Sequence, residues 1–386
     1  MILENKINNF LSYLIFINIK NKFCFIINFI LSKTRNKMEK KSLNKKEPED
    51  IEKEGIFWNT FWIFCIISSI ILIIISNFFI TDFNTNIKKY NINYPWPKIS
   101  DLFPTLYILP IIVCFKLFIE YISRSFVESC LSKKYKQPNM KEIGDKYRKK
   151  LSNHVYKIIL YTGITVFGYY VLKDLPYFPK SMGGKGYMPT MFLPGFPNSY
   201  FHEKPPLFNL YYNINLAYFI CDFIFLFISD RKSDFINMLL HHICTISLIL
   251  FSFVTNYSNI GSLVIFCHME SDILGHAIRF IVQTDQPIFF IGVVGVSFIS
   301  NFIYMRQYVF GEMIYVIYKY ITWKWGIITT MLWLFLVILY IMHFRWSVIL
   351  LYKTGQIVFQ KKRVTDGIKY VEETRVNKDK NKTHIN

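Results

Sequence analysis

Ionisable side chains are costly inside apolar stretches and must face a cavity or a partner to be tolerated in lipid. In this 386-residue chain most of them cluster in two adjacent stretches. The first reads Asp234-Phe-Ile-Asn-Met-Leu-Leu-His241-His242-Ile-Cys-Thr245, and the second Cys267-His268-Met269-Glu270-Ser271-Asp272-Ile-Leu-Gly-His276-Ala-Ile-Arg279. In the second, His268, Asp272, His276 and Arg279 are spaced by four, four and three, which puts them on one face of an α-helix. Glu270 lies about 200° round that helix from His268 and points elsewhere. A single intramembrane histidine is most simply a satisfied core residue. Several, with an aspartate and an arginine on neighbouring helices, make a functional polar site the better reading. Metal binding is the rival. Membrane oxygenases with di-iron need several His-x-x-His or His-x-x-x-His boxes, and none occurs here. His268 and His276 are about 12 Å apart along a helix axis, too far to share an ion, so neither a metal nor a resident cofactor is expected.

The elements that must position these residues are long apolar runs. A helix needs about 20 mostly apolar residues to cross the hydrocarbon core. Eight segments qualify: 56–80, 102–122, 154–173, 206–228, 236–255, 259–282, 287–310 and 326–351. Backbone groups in lipid must be satisfied internally, so these are helices. The expected fold class is therefore all-α, a polytopic membrane helix bundle of about eight transmembrane helices. Lys116 and Glu120 interrupt the second span at i and i+4, where they can pair, and Lys157 interrupts the third. With 52% hydrophobic and only 18% charged residues, the chain is neither a secreted disulfide scaffold nor a cytosolic enzyme. Its net charge of +19 is organised around no nucleic-acid motif, so no nucleic-acid partner is expected; the excess fits loops facing anionic lipid. Of seven cysteines, six lie in or against apolar runs without zinc or redox spacing, and they read as small buried hydrophobes.

Orientation follows the loop lysines and arginines. The 123–153 loop and the tail after Tyr352 hold nine each, whereas 81–101 holds three and 311–325 two. This makes 123–153 and both ends cytoplasmic, and 81–101, 174–205 and 311–325 lumenal. The expected organisation is a cytoplasmic or interfacial segment over 1–55 and an additional transmembrane helix with a lumenal loop over 56–100. A catalytic membrane domain over 101–352 and a basic cytoplasmic tail over 353–386 complete it.

The block from Asp230 through His241-His242 to Thr245, followed by Phe251-Ser-Phe-Val-Thr-Asn256-Tyr, Ile260-Gly261 and Cys267-His268-Met-Glu-Ser-Asp272, resembles the signature of the ceramide synthases. These are TLC-domain, acyl-CoA-dependent sphingoid-base N-acyltransferases of the endoplasmic reticulum membrane. Weaker similarity runs from Asp101, through Tyr156-Lys157, to Arg306. The resemblance implies a TLC-type bundle, fatty acyl-CoA as co-substrate, a sphingoid base as acceptor and membrane lipid as surroundings. It leaves the oligomeric state, including a homo- or heterodimer, open. It also implies His241, His242, His268 and Asp272 as catalytic residues. Two positions depart from the pattern: Met269 replaces the first of two family aspartates, and His276 an acidic residue. Amide formation needs a base for the attacking amine and an acid for the departing thiolate, and histidine suits both; alternatively one imidazole takes the acyl group itself. A carboxylate would fix the imidazole tautomer, with Asp272 the remaining choice. The alternative from another class is a non-catalytic TLC-domain protein that binds or senses lipid or assists other membrane proteins. A transporter has no inverted repeat to support it.

Overall fold

The computed structural model describes Thr85, 97–131, Lys136, 141–192, 204–228, 235–284, 286–320 and 327–359. The chain divides into two compact units. The first, Met1–Thr85 with Ile228–Asp230, lies almost wholly outside the described residues; the second is Asn86–Phe227 with Arg231–Asn386. The expected span 56–80, the segment 1–55 and most of the basic tail, together with Asp230 and Asp234, therefore fall outside them.

Among the described residues, α1 is Pro104–Ile122, α2 Arg124–Cys130, α3 Lys141–Leu172, α4 Phe208–Ile228 and α5 Phe235–Val254. They are followed by α6 Ser258–Ile281, α7 Ile288–Ile303, α8 Phe310–Tyr320 and α9 Ile327–Phe359. Six helical segments are long and apolar enough to cross a membrane: Ile99–Ile122, Ile143–Leu172, Phe208–Ile228, Phe235–Val254, Phe289–Tyr320 and Ile328–Tyr352. The protein is thus a multi-pass helical membrane bundle, with side chains such as Ile111, Phe118 and Ile341 left exposed on its outer faces.

These six coincide with six of the eight expected spans; the other two are 56–80, outside the described residues, and 259–282. The stretch read as a span at 259–282 is α6, which falls outside those six segments. Its polar residues lower its hydropathy, and its first half, Ser258–Met269, is buried throughout. It packs chiefly against α3, then α7 and α5. A helix enclosed by protein can carry polar groups that lipid would reject. The expected loop at 311–325 is corrected over 311–320, because helical structure continues from Ile288 to Tyr320 through a π-helical stretch, Tyr304–Val309. Met313, Val316 and Ile317 form the buried face of α8, so Glu312 and Lys319 mark its polar side rather than a loop. Likewise α3 begins at Lys141, inside the basic segment read as a loop.

Local chemistry sets the α5–α6 corner that presents the histidines. Asn256 takes a left-handed conformation, φ 59°, which asparagine tolerates at helix C-termini, and Thr255 Oγ1 donates to the Phe251 carbonyl at 2.7 Å. Gly261 then allows a close approach: a Cβ there would overlap the Tyr212 hydroxyl, which bonds Ser252 Oγ at 2.9 Å. The loop after α3 inserts the fully buried Phe178 edge-on against Phe266 of α6, with ring centroids 5.1 Å apart. Lys116 and Glu120 pair at 3.9 Å as their spacing suggested. Cys221, Cys244 and Cys267 are buried, whereas Cys114 is exposed on the apolar α1 and Cys130 is intermediate.

Candidate active site

His241 and His242 are neighbours in sequence, but consecutive helix residues differ by about 100°, and they serve two different clusters. His241 turns toward α6 and α9. Its ring stacks on His268 at 5.8 Å and meets Trp346 edge-on at 5.4 Å, with His343 at 6.2 Å. His242 turns toward α4, where its Nε2 lies 3.7 Å from Asp222 Oδ2 and its ring meets Phe223. That separation exceeds a hydrogen bond but leaves the pair in close electrostatic contact. Asp222 is held by Lys157 of α3, whose Nζ is 2.9 Å and 3.0 Å from the two carboxylate oxygens.

The face shared by His268, Asp272, His276 and Arg279 divides in the same way. Asp272 Oδ1 pairs with Arg306 Nη2 at 2.9 Å. The carboxylate against His242 is therefore Asp222, while Asp272 reaches the histidine cluster through Arg306. His276 Nδ1 is 3.0 Å from His154 Nδ1 on α3, beside Tyr161, whose hydroxyl bonds that of Tyr218. Arg279 is exposed. Glu270 accepts from Asn301 Nδ2 of α7 at 3.2 Å, away from the histidines, and Met269 is buried.

Arg306 organises the centre. It sits in the π-helical stretch, a local distortion frequent at functional sites, and is 2% exposed. Its Nε donates to Ser271 Oγ at 2.6 Å, Nη1 to His343 Nε2 at 2.9 Å, and Nη2 to the His268 carbonyl at 3.1 Å. These bonds fix two tautomers. A guanidinium only donates, so His343 Nε2 is an acceptor and the neutral ring carries its proton on Nδ1. A carbonyl only accepts, so His268 Nδ1, 2.7 Å from the Val264 oxygen, carries the proton and Nε2 keeps a bare lone pair. His268 Nε2, His343 Nδ1 and His241 Nδ1 are all buried without a hydrogen-bond partner among the described residues. One nitrogen from each of these three rings lies within 4.8 Å of the others.

Three imidazoles meeting in this way are a candidate metal site that the His268–His276 spacing argument did not address, because His343 arrives from a distant helix. The polarity of the cluster opposes it. A histidine ligand usually donates its second ring N–H to a carboxylate or carbonyl, whereas His343 Nε2 faces a guanidinium. With Nε2 engaged by the guanidinium and the ring proton on Nδ1, neither nitrogen of His343 offers a free lone pair to an ion.

His268 also lines an apolar pocket between α5, α6, α8 and α9. The cavity follows α6 from Tyr257 and Gly261 to His268, with Leu248 of α5, Ile317 of α8 and Leu332 of α9 among its walls. The eleven helical residues 258–268 rise about 16 Å at 1.5 Å per residue, so the apolar lining runs along the helix to the histidine cluster.

Reading the sequence alone passed over Asp222 and His343 and noted Arg306 only at the edge of a resemblance. All three are ionisable residues within apolar spans, the same signal that marked His241 and His268.

Fold and site together define a multi-pass membrane protein with a buried histidine cluster beside an apolar pocket. The chain belongs to the TLC-domain family, whose profile it matches over residues 150–352, just over half its length. Among curated proteins it is similar to the sphingosine N-acyltransferase lag1 of Schizosaccharomyces pombe, 26% identical over 29% of this chain and 28% of that protein. It is also similar to ceramide synthase hyl-2 of Caenorhabditis elegans, 34% identical over 27% of this chain and 33% of that one. ASC1-like protein 3 of Oryza sativa subsp. japonica is 22% identical over 50% of this chain and 65% of its own length. The matches thus span between 28% and 65% of these relatives.

Proposed function

We propose that this protein is a ceramide synthase of the endoplasmic reticulum membrane, transferring a fatty acyl group from acyl-CoA to the amine of a sphingoid base. The observation that carries the reading is the buried, bare Nε2 of His268, a residue that lines the apolar pocket and meets His241 and His343. The acyl chain lies in that pocket with its thioester at the gap between the three imidazoles. His268 Nε2 takes the proton of the attacking amine and returns it to the departing thiolate, a task matched to an imidazole. Val264 holds the tautomer. His241 closes the opposite side of the gap; His242, with Asp222 and Lys157, forms the polar wall toward α4. Asp272 steadies Arg306, which supports His343 and the His268 backbone. The names of the similar proteins favour the same chemistry.

The lipid-binding alternative is favoured by Met269, an apolar and buried residue where the family pattern has a carboxylate. Purified protein in lipid nanodiscs, given palmitoyl-CoA and sphinganine, separates the two. Dihydroceramide detected by mass spectrometry, and lost in His268→Ala, supports the enzyme; lipid binding without product supports the alternative. Initial rates giving intersecting double-reciprocal lines support direct transfer, whereas parallel lines move the acyl group through an imidazole such as His241.

A further inference from the structure

We propose that His343, on α9, is a further catalytic residue: its Nδ1–H is the hydrogen-bond donor that receives the negative oxygen of the tetrahedral intermediate. The assignment rests on the acyltransfer reading above and adds to it a residue outside the histidine motifs. Three observations converge on it. Arg306 Nη1 donates to His343 Nε2 at 2.9 Å, which leaves the proton of the neutral ring on Nδ1. That nitrogen is buried and has no hydrogen-bond partner among the described residues. One His343 ring nitrogen lies within 4.8 Å of one each from His241 and His268, and because Arg306 occupies Nε2 we assign Nδ1 to that gap; the His268 and His343 rings are 4.9 Å apart. With that assignment, one side of the gap offers a lone pair and another offers an N–H. A buried donor left unmatched costs stability, and such a cost is accepted where charge will develop during a reaction.

The steps balance. The amine nitrogen bonds to the thioester carbon as the C=O π pair moves to oxygen, which accepts the hydrogen bond from His343 Nδ1–H. The amine proton passes to His268 Nε2. The oxygen pair then re-forms the C=O bond, the C–S bond breaks, and the thiolate takes the proton from His268. Amide and CoA thiol leave, and both histidines return to their starting tautomers. The positive guanidinium behind His343 polarises its ring and strengthens the donor, and the anchoring of Arg306 on Ser271, Asp272 and the His268 carbonyl fixes its direction.

The test uses the full chain in nanodiscs with palmitoyl-CoA and sphinganine. Asparagine places an amide N–H near the Nδ1 position, whereas glutamine extends its amide toward Nε2. His343→Ala is expected to lose about 10²–10³-fold in kcat, with a smaller change in KM for acyl-CoA. His343→Asn should recover at least part of that loss, and His343→Gln should not. Equal recovery by Gln would mean that His343 merely fills space, and unchanged kcat in His343→Ala would overturn the assignment while leaving the acyltransfer reading intact. A wild type that makes no amide removes both. If the variants do not fold, the wild-type tautomer decides: nitrogen NMR must find His343 neutral with its proton on Nδ1. A proton on Nε2, or one tightly held zinc per chain that His343→Asn releases, would refute the proposal.

Discussion

Removing the charge of Asp222 should destabilise the protein far more than removing Asp222 and Lys157 together. The two are 2.9 Å apart with side chains 15% and 18% exposed. At an effective dielectric of 20, Coulomb's law gives about 6 kcal/mol of gross attraction at that distance. Much of it is offset by desolvation, yet breaking a buried pair by removing one partner typically costs about 3–5 kcal/mol, because the other charge is stranded. Asp222→Asn strands Lys157 beside a second cation, Lys116, which itself lies over the Phe225 ring. The double variant Lys157→Met with Asp222→Asn strands nothing and should lie within about 1 kcal/mol of wild type. Thermal unfolding of wild type, both singles and the double in one detergent yields the coupling energy. At about 2–4 °C per kcal/mol for a domain of this size, each single should melt about 6–20 °C early and the double close to wild type. Additive losses, with coupling below about 0.5 kcal/mol, would refute the pairing. Turnover should not recover with stability in the double variant, because His242 has lost the carboxylate 3.7 Å from its Nε2.

Other consequences are equally direct. Gly261→Ala drives a methyl into the Tyr212 hydroxyl and should cost about 1–3 kcal/mol, the usual range for overpacking; adding Tyr212→Phe should restore part of it, and equal melting of wild type and Gly261→Ala would contradict the packing. Glu270→Gln should leave turnover within about twofold, a surface-like effect, since Asn301 rather than a histidine holds its carboxylate; an inactive variant would place Glu270 in the chemistry. Lys204 lies 4.5 Å from the Phe253 ring centre, and burial lowers its pKa to about 8. Competitive amine labelling should therefore show a midpoint near that value, and a midpoint near the ordinary ~10.4 would show that the side chain is solvated.

The sequence announced the bundle because twenty-residue apolar runs have few other physical outcomes, and the cost of charge in lipid singled out His241, His242 and His268. What stayed hidden was which neighbour each residue would meet. His241 and His242 look like a pair on paper, yet a 100° turn sends one toward His343 and the other toward Asp222. Asp272 looked like the partner of the histidines because it shares a helix face with His268. Arg306, 34 residues further on, claims it. Distances between helices remote in sequence are set by packing, which periodicity does not report. The stretch 311–320, read as loop, is different: Met313, Val316 and Ile317 already stood at helical spacing, and the charges of Glu312 and Lys319 obscured it.

On the proposed function, acyl transfer takes place in the gap between His241, His268 and His343. Its most direct test is a structure of the protein bound to a thioether analogue of acyl-CoA that keeps a ketone at the carbonyl position. The alkyl chain should lie in the pocket beside Val264 and Leu332, with the ketone oxygen within about 3 Å of His343 Nδ1 and the ketone carbon facing His268. An analogue whose chain lies outside the bundle, or whose carbonyl sits away from all three histidines, would contradict it.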